Sequence, residues 1–354
     1  MSDHYPLISV IMPVFNAECY LEAAVLSILN QSYKNIELLV IDDASSDESY
    51  QAIKSFTDTR IKIYRNKTNE GYLKSVNLLF TKCRGSFIAF QDADDWSSLD
   101  RLEKQLEVFK QDPELMFCGT QCIYSKNEKE LRRSTFPLLH DDVVLKLEHG
   151  DTVILCGASV MLRRKLLIDY PGYRAFYDRI GSEDLDWFWR MLVNNKYMNL
   201  PEYLYNYRSS PSSITRKLDL NPLRYHSTQI ALLAYWQYKL TGSDVLMDKQ
   251  LSLKLITQIR QKYSRDGSLI FYRAAISQLA FGQLDSYLWC LKESIKRKGF
   301  SWTNIKLLLI WLPLFVFLHL SPKRTQRKII EKSNIRFLKE MGVDARMGKV
   351  EKIS

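Results

Sequence analysis

Asp92, Asp94 and Asp95 fall within four consecutive positions, directly after the apolar run Ser86 to Phe90. Carboxylates crowded beside a buried strand repel one another, and they repel phosphate unless a divalent cation lies between. They are suitable ligands for Mg²⁺ or Mn²⁺, which take carboxylate and phosphate oxygens. A solvated turn capping the helix that starts near Ser98 accounts for one such acid, not for three. Asn16 and Glu18 follow a first apolar run, Asp42 and Asp43 close a second, and Glu183, Asp184 and Asp186 precede a later helical pattern. The first glycine is Gly71. A dinucleotide or P-loop cradle needs glycines in the first strand-to-helix turn, so that amides reach the phosphates. The chain therefore holds no nucleotide in either of those ways.

These residues need a frame. Leu7 to Val14, Ile36 to Ile41, Ile61 to Tyr64 and Ser86 to Phe90 read as strands. Between them lie helical patterns: Ala17 to Leu29, Asp47 to Phe56 and Gly71 to Cys83. A further helix from Ser98 carries Leu99, Leu102, Leu106 and Phe109 as its apolar stripe. Strands alternating with helices predict a parallel sheet covered on both faces. Such sheets bind ligands beyond the carboxyl ends of their strands, where the polar residues above collect.

The run PLISVIMPVFNAECYLEAAVLSILNQSYKNIELLVIDDASSDES, followed by FIAFQDADDW, resembles the family 2 glycosyltransferases of the GT-A fold. The resemblance spans Leu7 to about Thr215, with several motifs in the right order. It implies an α/β, Rossmann-like, mostly parallel sheet flanked by helices and followed by a C-terminal helical appendage. It also implies a catalytic domain at 1–215; the sequence pattern itself adds a helical region at 216–300 and an apolar and basic segment at 301–354. Pro13, Val14, Phe15 and Asn16 match the segment that walls the nucleotide base, and Glu18 the acid after it. One of Asp42 and Asp43 is expected to accept a hydrogen bond from the base. Asn69, Glu70 and Gly71 match the Asn-x-Gly before the third helix. Asp92-Ala93-Asp94 matches the D-x-D that contacts ribose and metal, with Asp95 its companion; Asp94 and Asp92 are the implied metal ligands. Glu183 and Asp184 match the Glu-Asp motif whose Asp is the general base. Tyr207 and Arg208 match the closing Tyr-Arg-x-His segment, where Ser210 replaces His. Leu99 stands where the family often has Pro.

The resemblance implies an inverting, metal-dependent transfer from a nucleotide-sugar, here a UDP-sugar, to a glycan or lipid-linked acceptor in cell-surface polysaccharide synthesis. A metal held by Asp94 and Asp92 would stabilise the leaving diphosphate, and Arg208 would add a bidentate contact. Asp184 would take the acceptor's proton, with Glu183 orienting it or touching the acceptor. Asp186 reads as a surface or ribose-adjacent acid. A sugar-nucleotide nucleotidyltransferase would need a Gly-rich loop that MPVFNAE lacks. An inactive binding or scaffold protein would not need every matched acid. Trp187, Phe188 and Trp189 cannot share one helix face, so at least one is core. Asp151 to Met161 reads as a strand under the acceptor site, with Arg163, Arg164 and Lys165 as a solvated edge.

From about Arg216 the pattern is helical: Tyr225–Leu240, Leu251–Tyr263, Leu269–Ala280 and Gln283–Lys296. Leu307–Leu320 is apolar with Pro313 in its middle, short of the ~20 residues a spanning helix needs. Basic residues flank it on both sides, which suggests a segment lying in the membrane interface or re-entrant at Pro313; the alternative reading is a helix packed in the core. The net charge of +10 has one source. Residues 291–354 hold 15 Lys+Arg against 5 Asp+Glu, leaving 35 of each in residues 1–290. That distribution argues for an anionic membrane surface through 291–354 and against a nucleic-acid groove. The N-terminus shows no secretory pattern, and six scattered cysteines suggest reduced thiols. The expected location is cytoplasmic, peripheral to the inner face of the cell membrane. At 46% hydrophobic and 25% charged, the composition excludes a disordered, fibrous or multi-span membrane protein.

Overall fold

The computed structural model describes residues 5–126, 129–209, 218–280, 284–298, 323–341, 343–344 and 349–350. The chain divides into two compact units. The first comprises Met1–Glu148, Thr152–Arg179 and Glu183–Ser210. Its elements begin β1 (Ile8–Val14), α1 (Glu18–Leu29), β2 (Ile36–Asp42), α2 (Ser49–Ser55), β3 (Ile61–Arg65), α3 (Tyr72–Phe80) and β4 (Phe87–Phe90). They continue β5 (Trp96–Ser97), α4 (Arg101–Gln111), β6 (Leu115–Lys126), β7 (Lys129–Arg133) and α5 (His140–Glu148). The unit closes with β8 (Met161–Arg163), α6 (Leu166–Asp169), α7 (Glu183–Leu192) and β9 (Lys196–Arg208).

The strands form one sheet in the order β3-β2-β1-β4-β8-β6-β9-β5, with β7 paired to β6. β3, β2, β1 and β4 run parallel, as the alternating pattern predicts. Beyond β4 the sheet is mixed: β8 is antiparallel to β4 and β6, while β9 is parallel to β6 and antiparallel to β5. All seven residues of β2 are buried, as expected for a strand covered on both faces. Ile8, Val10, Met12 and Val14 of β1 share a core cluster with Leu21, Ala24, Val25 and Ile28 of α1. Pro13 lies in a central strand without cost. The carbonyls of Leu7 and Ile11 accept from Phe87 and Gln91, so odd-numbered residues of β1 face β4. β4 ends opposite Ile11, and no ladder donor is required at Pro13.

Three local expectations are corrected. Asp151 to Met161 is not a strand. Gly157–Ser159 is a 3₁₀ turn, closed by the Ser159 hydroxyl donating to the Cys156 carbonyl at 2.9 Å, and only Met161–Arg163 pairs as β8. The fourth helix starts at Arg101, and Leu99 is 60% exposed rather than part of the apolar stripe. Asp186 is not a surface acid. It is fully buried, accepting from Arg190 Nε at 3.1 Å and from Arg174 Nη1 at 3.4 Å. A buried carboxylate requires such partners. Trp187, Phe188 and Trp189 are all fully buried, so none offers a face to sugar.

The second unit comprises His149–Asp151, Ile180–Ser182 and Pro211–Ser354. It contains α8 (Ser227–Thr241), α9 (Lys249–Arg265), α10 (Leu269–Ala280), α11 (Leu284–Lys298) and α12 (Lys323–Glu340). β10 (Val343–Asp344) and β11 (Lys349–Val350) form a short hairpin. α10 and α11 share a core of Ala274, Ala275, Tyr287, Cys290 and Leu291. His226 is held between Gln229 Oε1 at 2.7 Å and the Tyr263 hydroxyl at 2.9 Å, and stacks on Phe337 of α12. Among the described residues no helix is long and apolar enough to cross a membrane. Leu307–Leu320 and Ser210 lie outside the described residues. All six cysteines are free thiols, five of them buried.

Candidate active site

The carboxyl ends of β1, β2 and β4 carry adjacent loops. After β1 and β2 the chain enters the left-handed region at Asn16 (φ 50°) and Ala44 (φ 57°). Both are non-glycine residues, and such backbone persists only where neighbours enforce it. The two loops are laced together. Asn16 Oδ1 accepts from the Ser46 amide at 2.9 Å, and the Asn16 amide donates to Ser45 Oγ at 3.0 Å. Glu18 Oε2 accepts from the Glu48 amide at 2.8 Å. Phe15, beside them, is 47% exposed, an apolar surface at the mouth of the loops.

Asp42 and Asp43 are both buried and both engaged. Asp42 pairs with Arg65 Nε at 3.0 Å, and the Arg65 guanidinium lies 3.9 Å over the Tyr50 ring. Asp43 Oδ1 accepts from Asn66 Nδ2 at 2.6 Å and from the Glu70 amide at 2.8 Å; Oδ2 accepts from the Gly71 amide at 2.8 Å. Asp43 thus anchors the Asn69-Glu70-Gly71 loop. Gly71 has φ +95°, and a Cβ there would lie 3.1 Å from Arg179 Nε. Arg179 Nη2 donates to the Asn69 carbonyl at 2.7 Å. The backbone conformation favours glycine at this position, and a Cβ would in addition press on the Arg179 guanidinium.

The turn after β4 gathers the acids. Carboxylate oxygens of Asp92, Asp94 and Asp95 all lie within 4.8 Å of one another. Burial, then the charges of Asp94 and Asp184, push the Asp92 carboxyl up to about 7. Asp94 is also raised, mainly by burial, and Asp95 well raised by burial and then by Asp94 and Asp92. Asp95 is 2% exposed, and its Oδ2 has no hydrogen-bond partner. An orphaned buried oxygen inside a cluster of mutually repelling carboxylates is what a divalent cation would satisfy. The donor set, all oxygen, suits Mg²⁺ or Mn²⁺.

Arg208, the last residue of β9, borders this turn. Its Nε donates to the Asp94 carbonyl at 2.9 Å, and its guanidinium lies 4.6 Å from the Tyr20 ring and 4.8 Å from the Trp96 ring. On the other side are Tyr72 and Tyr173, stacked with centroids 6.4 Å apart. The Tyr72 hydroxyl donates to Asp92 Oδ1 at 3.4 Å. Both phenols are raised well above the ordinary value, first by burial and then by charges that include Asp92, Asp184 and Glu183. The charges of Asp92, Asp184 and Glu183 thus all bear on this one pair of tyrosines. Asp184 opens α7 next to Glu183, and its Oδ1 accepts from the Leu185 amide at 2.8 Å. Burial raises the Asp184 carboxyl, the direction that improves a carboxylate as a base. A Cβ at Gly157 would lie 2.8 Å from Asp184 Oδ2, so the 3₁₀ turn fits directly against this carboxylate.

The structure thus gathers Asp92, Asp94, Asp95 and Arg208 at one turn, while Asp184 and Glu183 open α7, the charge of Asp184 being among those that raise Asp92. Phe15, Asn16, Asp43, Asn69 and Gly71 lie in the neighbouring loops, Pro13 and Asp42 at the carboxyl ends of β1 and β2, and Glu18 at the start of α1. Sequence reasoning missed Tyr72, Tyr173, Gly157 and Arg101. Tyr72 follows Gly71 directly and was within reach. Tyr173 and Gly157 carry no spacing signal, since only the fold brings them to the acids. Arg101 reads as an ordinary polar position of an amphipathic helix.

The family model described as Glycosyl transferase family 2 matches residues 9–170. The O-antigen biosynthesis glycosyltransferase WbnJ of Escherichia coli is 30% identical over 240 residues, covering 65% of this chain and 85% of WbnJ. The E. coli enzyme named UDP-Glc:alpha-D-GlcNAc-diphosphoundecaprenol beta-1,3-glucosyltransferase WfgD is 42% identical over 106 residues, 30% of this chain and 42% of WfgD. The crystal structure of S. aureus TarS 1–349 in complex with UDP-GlcNAc superposes with a TM-score of 0.56 at 15% identity, covering 94% of this chain and 91% of TarS 1–349. At that identity the match shows a shared GT-A fold.

Proposed function

The chain belongs to glycosyl transferase family 2, and from that premise we propose that it transfers a sugar from a UDP-sugar to a hydroxyl of a glycan or lipid-linked acceptor, inverting the anomeric carbon, in cell-surface polysaccharide synthesis. The observation that carries the reading is the acid turn: Asp92, Asp94 and Asp95 bring carboxylate oxygens within 4.8 Å of one another, and Arg208 Nε holds the Asp94 carbonyl. The named relatives support the UDP-sugar, the diphosphate-lipid acceptor and the polysaccharide setting.

The loops after β1 and β2 hold the nucleoside, with Pro13, Phe15 and Asn16 as its wall and Glu18 and Ser46 fixing the loop geometry. Asp42 or Asp43 accepts from the base. Asn69 and Gly71 close the pocket, held by Asp43. Asp94 and Asp92, with Asp95 behind them, would hold a Mg²⁺ or Mn²⁺ ion. That ion supplies charge neutralisation to the diphosphate when bound. Arg208, stacked between Tyr20 and Trp96, presents its guanidinium to the same phosphates. Asp184 receives the proton of the attacking hydroxyl as the bond to the anomeric carbon forms, and the diphosphate leaves with the bonding electrons. One displacement gives one inversion. Glu183 orients Asp184 or touches the acceptor. Residues 1–215 would carry this chemistry, 216–300 a helical domain, and 291–354 the contact with anionic lipid at the inner face of the membrane.

A thermal-shift screen of nucleoside diphosphates with and without Mn²⁺ tests the reading. UDP with Mn²⁺ is expected to raise the melting temperature most. No shift with any nucleoside diphosphate, with or without the metal, would overturn it.

A further inference from the structure

Arg101 is fully buried, and among the described residues no carboxylate pairs with it. Burial lowers its pKa only to about 10, so the guanidinium is charged at neutral pH. An unpaired buried charge is costly, and Leu or Met would fill the same space on α4. What the guanidinium holds explains why an arginine is placed here. Its Nη2 donates to the carbonyl of Phe90 at 3.0 Å, and its Nη1 lies 3.4 Å from the carbonyl of Ala158. Phe90 is the last residue of β4, immediately before the acid turn. Ala158 is in the middle of the 3₁₀ turn that fits against Asp184.

Two further contacts join the same places. The guanidinium lies 5.4 Å from the ring of Tyr205, whose hydroxyl accepts the amide of Asp92 at 3.2 Å. One helical turn on, Gln105 Nε2 donates to the carbonyl of Ser159 at 2.9 Å. One side of α4 thus grips both turns. We propose that Arg101 is a positioning residue that fixes the acid turn after β4 and the turn beneath Asp184 at a set separation, with Gln105 as its second point of attachment. The inference rests on the glycosyl-transfer reading for its effect on rate, but not for its effect on the backbone. A planar fork reaches two carbonyls at once. A lysine ammonium in the same space is a single point and does not hold both.

The test compares Arg101→Lys with Arg163→Lys in the full chain. Arg163 is a control of the same kind: its Nε and Nη2 donate to the carbonyls of Leu115 and Phe109 at 2.8 and 3.0 Å, away from the acids. Arg101→Lys is expected to speed amide hydrogen exchange at 91–95 and 157–160. It should also lower kcat for transfer about a hundredfold, as misplaced reacting groups do, with UDP affinity within about threefold of the parent. Arg163→Lys is expected to change neither. Should Arg101→Lys fail to fold, Gln105→Leu decides, with faster exchange expected at 157–160 alone. Parental exchange in Arg101→Lys, or in Gln105→Leu where the first does not fold, overturns the proposal. So does an equal loss of kcat in Arg163→Lys. Failure of the transfer reading is a separate result: the parent chain itself then releases no UDP, while the exchange comparison still decides on Arg101.

Discussion

The backbone amide of Arg208 donates to Asp95 Oδ1 at 2.6 Å, tying the last residue of β9 to the acid turn after β4. The same residue's Nε holds the Asp94 carbonyl. β9 is the strand that β5 pairs with, through Trp96 and Asn206. Arg208 therefore helps shape the acid turn before any phosphate arrives.

This double role makes Arg208 separable from a pure phosphate contact. Arg208→Ala removes the Asp94 tether and the cation–π contacts with Tyr20 and Trp96, and is expected to cost about 1–3 kcal/mol of stability. Arg208→Lys keeps a charge but not the planar fork. UDP affinity should fall in both, more in the alanine variant. Calorimetric UDP titration beside a denaturant melt checks this.

Asp94 and Asp184 belong to opposite sides of the proposed reaction. Asp94→Asn removes a carboxylate of the proposed metal site, so the Mn²⁺-dependent part of the UDP thermal shift should vanish. Asp184→Asn should leave that shift intact and lower kcat by about 10²–10⁴-fold, the range of a lost general base. Parental turnover by Asp184→Asn would remove it from the mechanism.

How far the sequence carried depends on the kind of signal. β1 to β4 and their helices were legible because strand-length apolar runs alternate with helical stripes, and the acids end those runs. β6 and β9 were not. Each is long, and each takes its partners from across the chain, so register rather than local pattern decides them. Asp186 shows the limit for single residues. Its spacing from Asp184 resembles that of a site acid, yet it points into the core, where Arg174 and Arg190 take its charge. Gly157 shows the reverse. Nothing in CGAS announces contact with a residue 27 positions later, and only the packing of α7 against the turn creates it.

The acid cluster should make metal-free stability depend on pH with an unusual sign. Asp92 has a folded value of about 7 against an ordinary 3.8. Between those values the folded chain holds a proton that the unfolded chain has released. Stability from this group is therefore lost as pH rises from about 4 to 7. Asp94 and Asp95 are raised too and act in the same direction. Mn²⁺ binds the ionised carboxylates, so its stabilisation should grow over the same interval. Melting curves from pH 5 to 8, with and without Mn²⁺, read both slopes. Asp92→Asn should flatten them.

The proposed lipid contact is tested by charge rather than by truncation. Phe337 and Asn334 of α12 pack within the second unit, with Asn334 Nδ2 donating to the Gly150 carbonyl at 2.9 Å. Removing everything beyond residue 301 would damage that unit as well as any anchor. Replacing Lys323, Arg324, Arg327 and Lys328 with Gln removes four positive charges, each worth about 1 kcal/mol near an anionic surface. Flotation with phosphatidylserine vesicles should fall sharply. Unchanged flotation would rule out an electrostatic contact through these residues.

Gly157 offers the most local test of the base. A Cβ there would stand 2.8 Å from Asp184 Oδ2 and 3.2 Å from Phe188 Cε2. Phe188 is locked in the core between Phe90 and Phe117, so the carboxylate is the group that yields. Gly157→Ala should therefore move Asp184 by a few tenths of an ångström or turn it away. The nucleotide loops and the acid turn are untouched, so UDP and Mn²⁺ should bind as in the parent. Turnover should fall by about tenfold to a hundredfold, the usual cost of misplacing a reacting group by up to 1 Å. The acceptor-independent release of UDP to water separates the possibilities. If Asp184 acts only on the acceptor hydroxyl, this slow hydrolysis should be little changed while transfer drops. Equal loss of both would show that the turn supports the donor side instead.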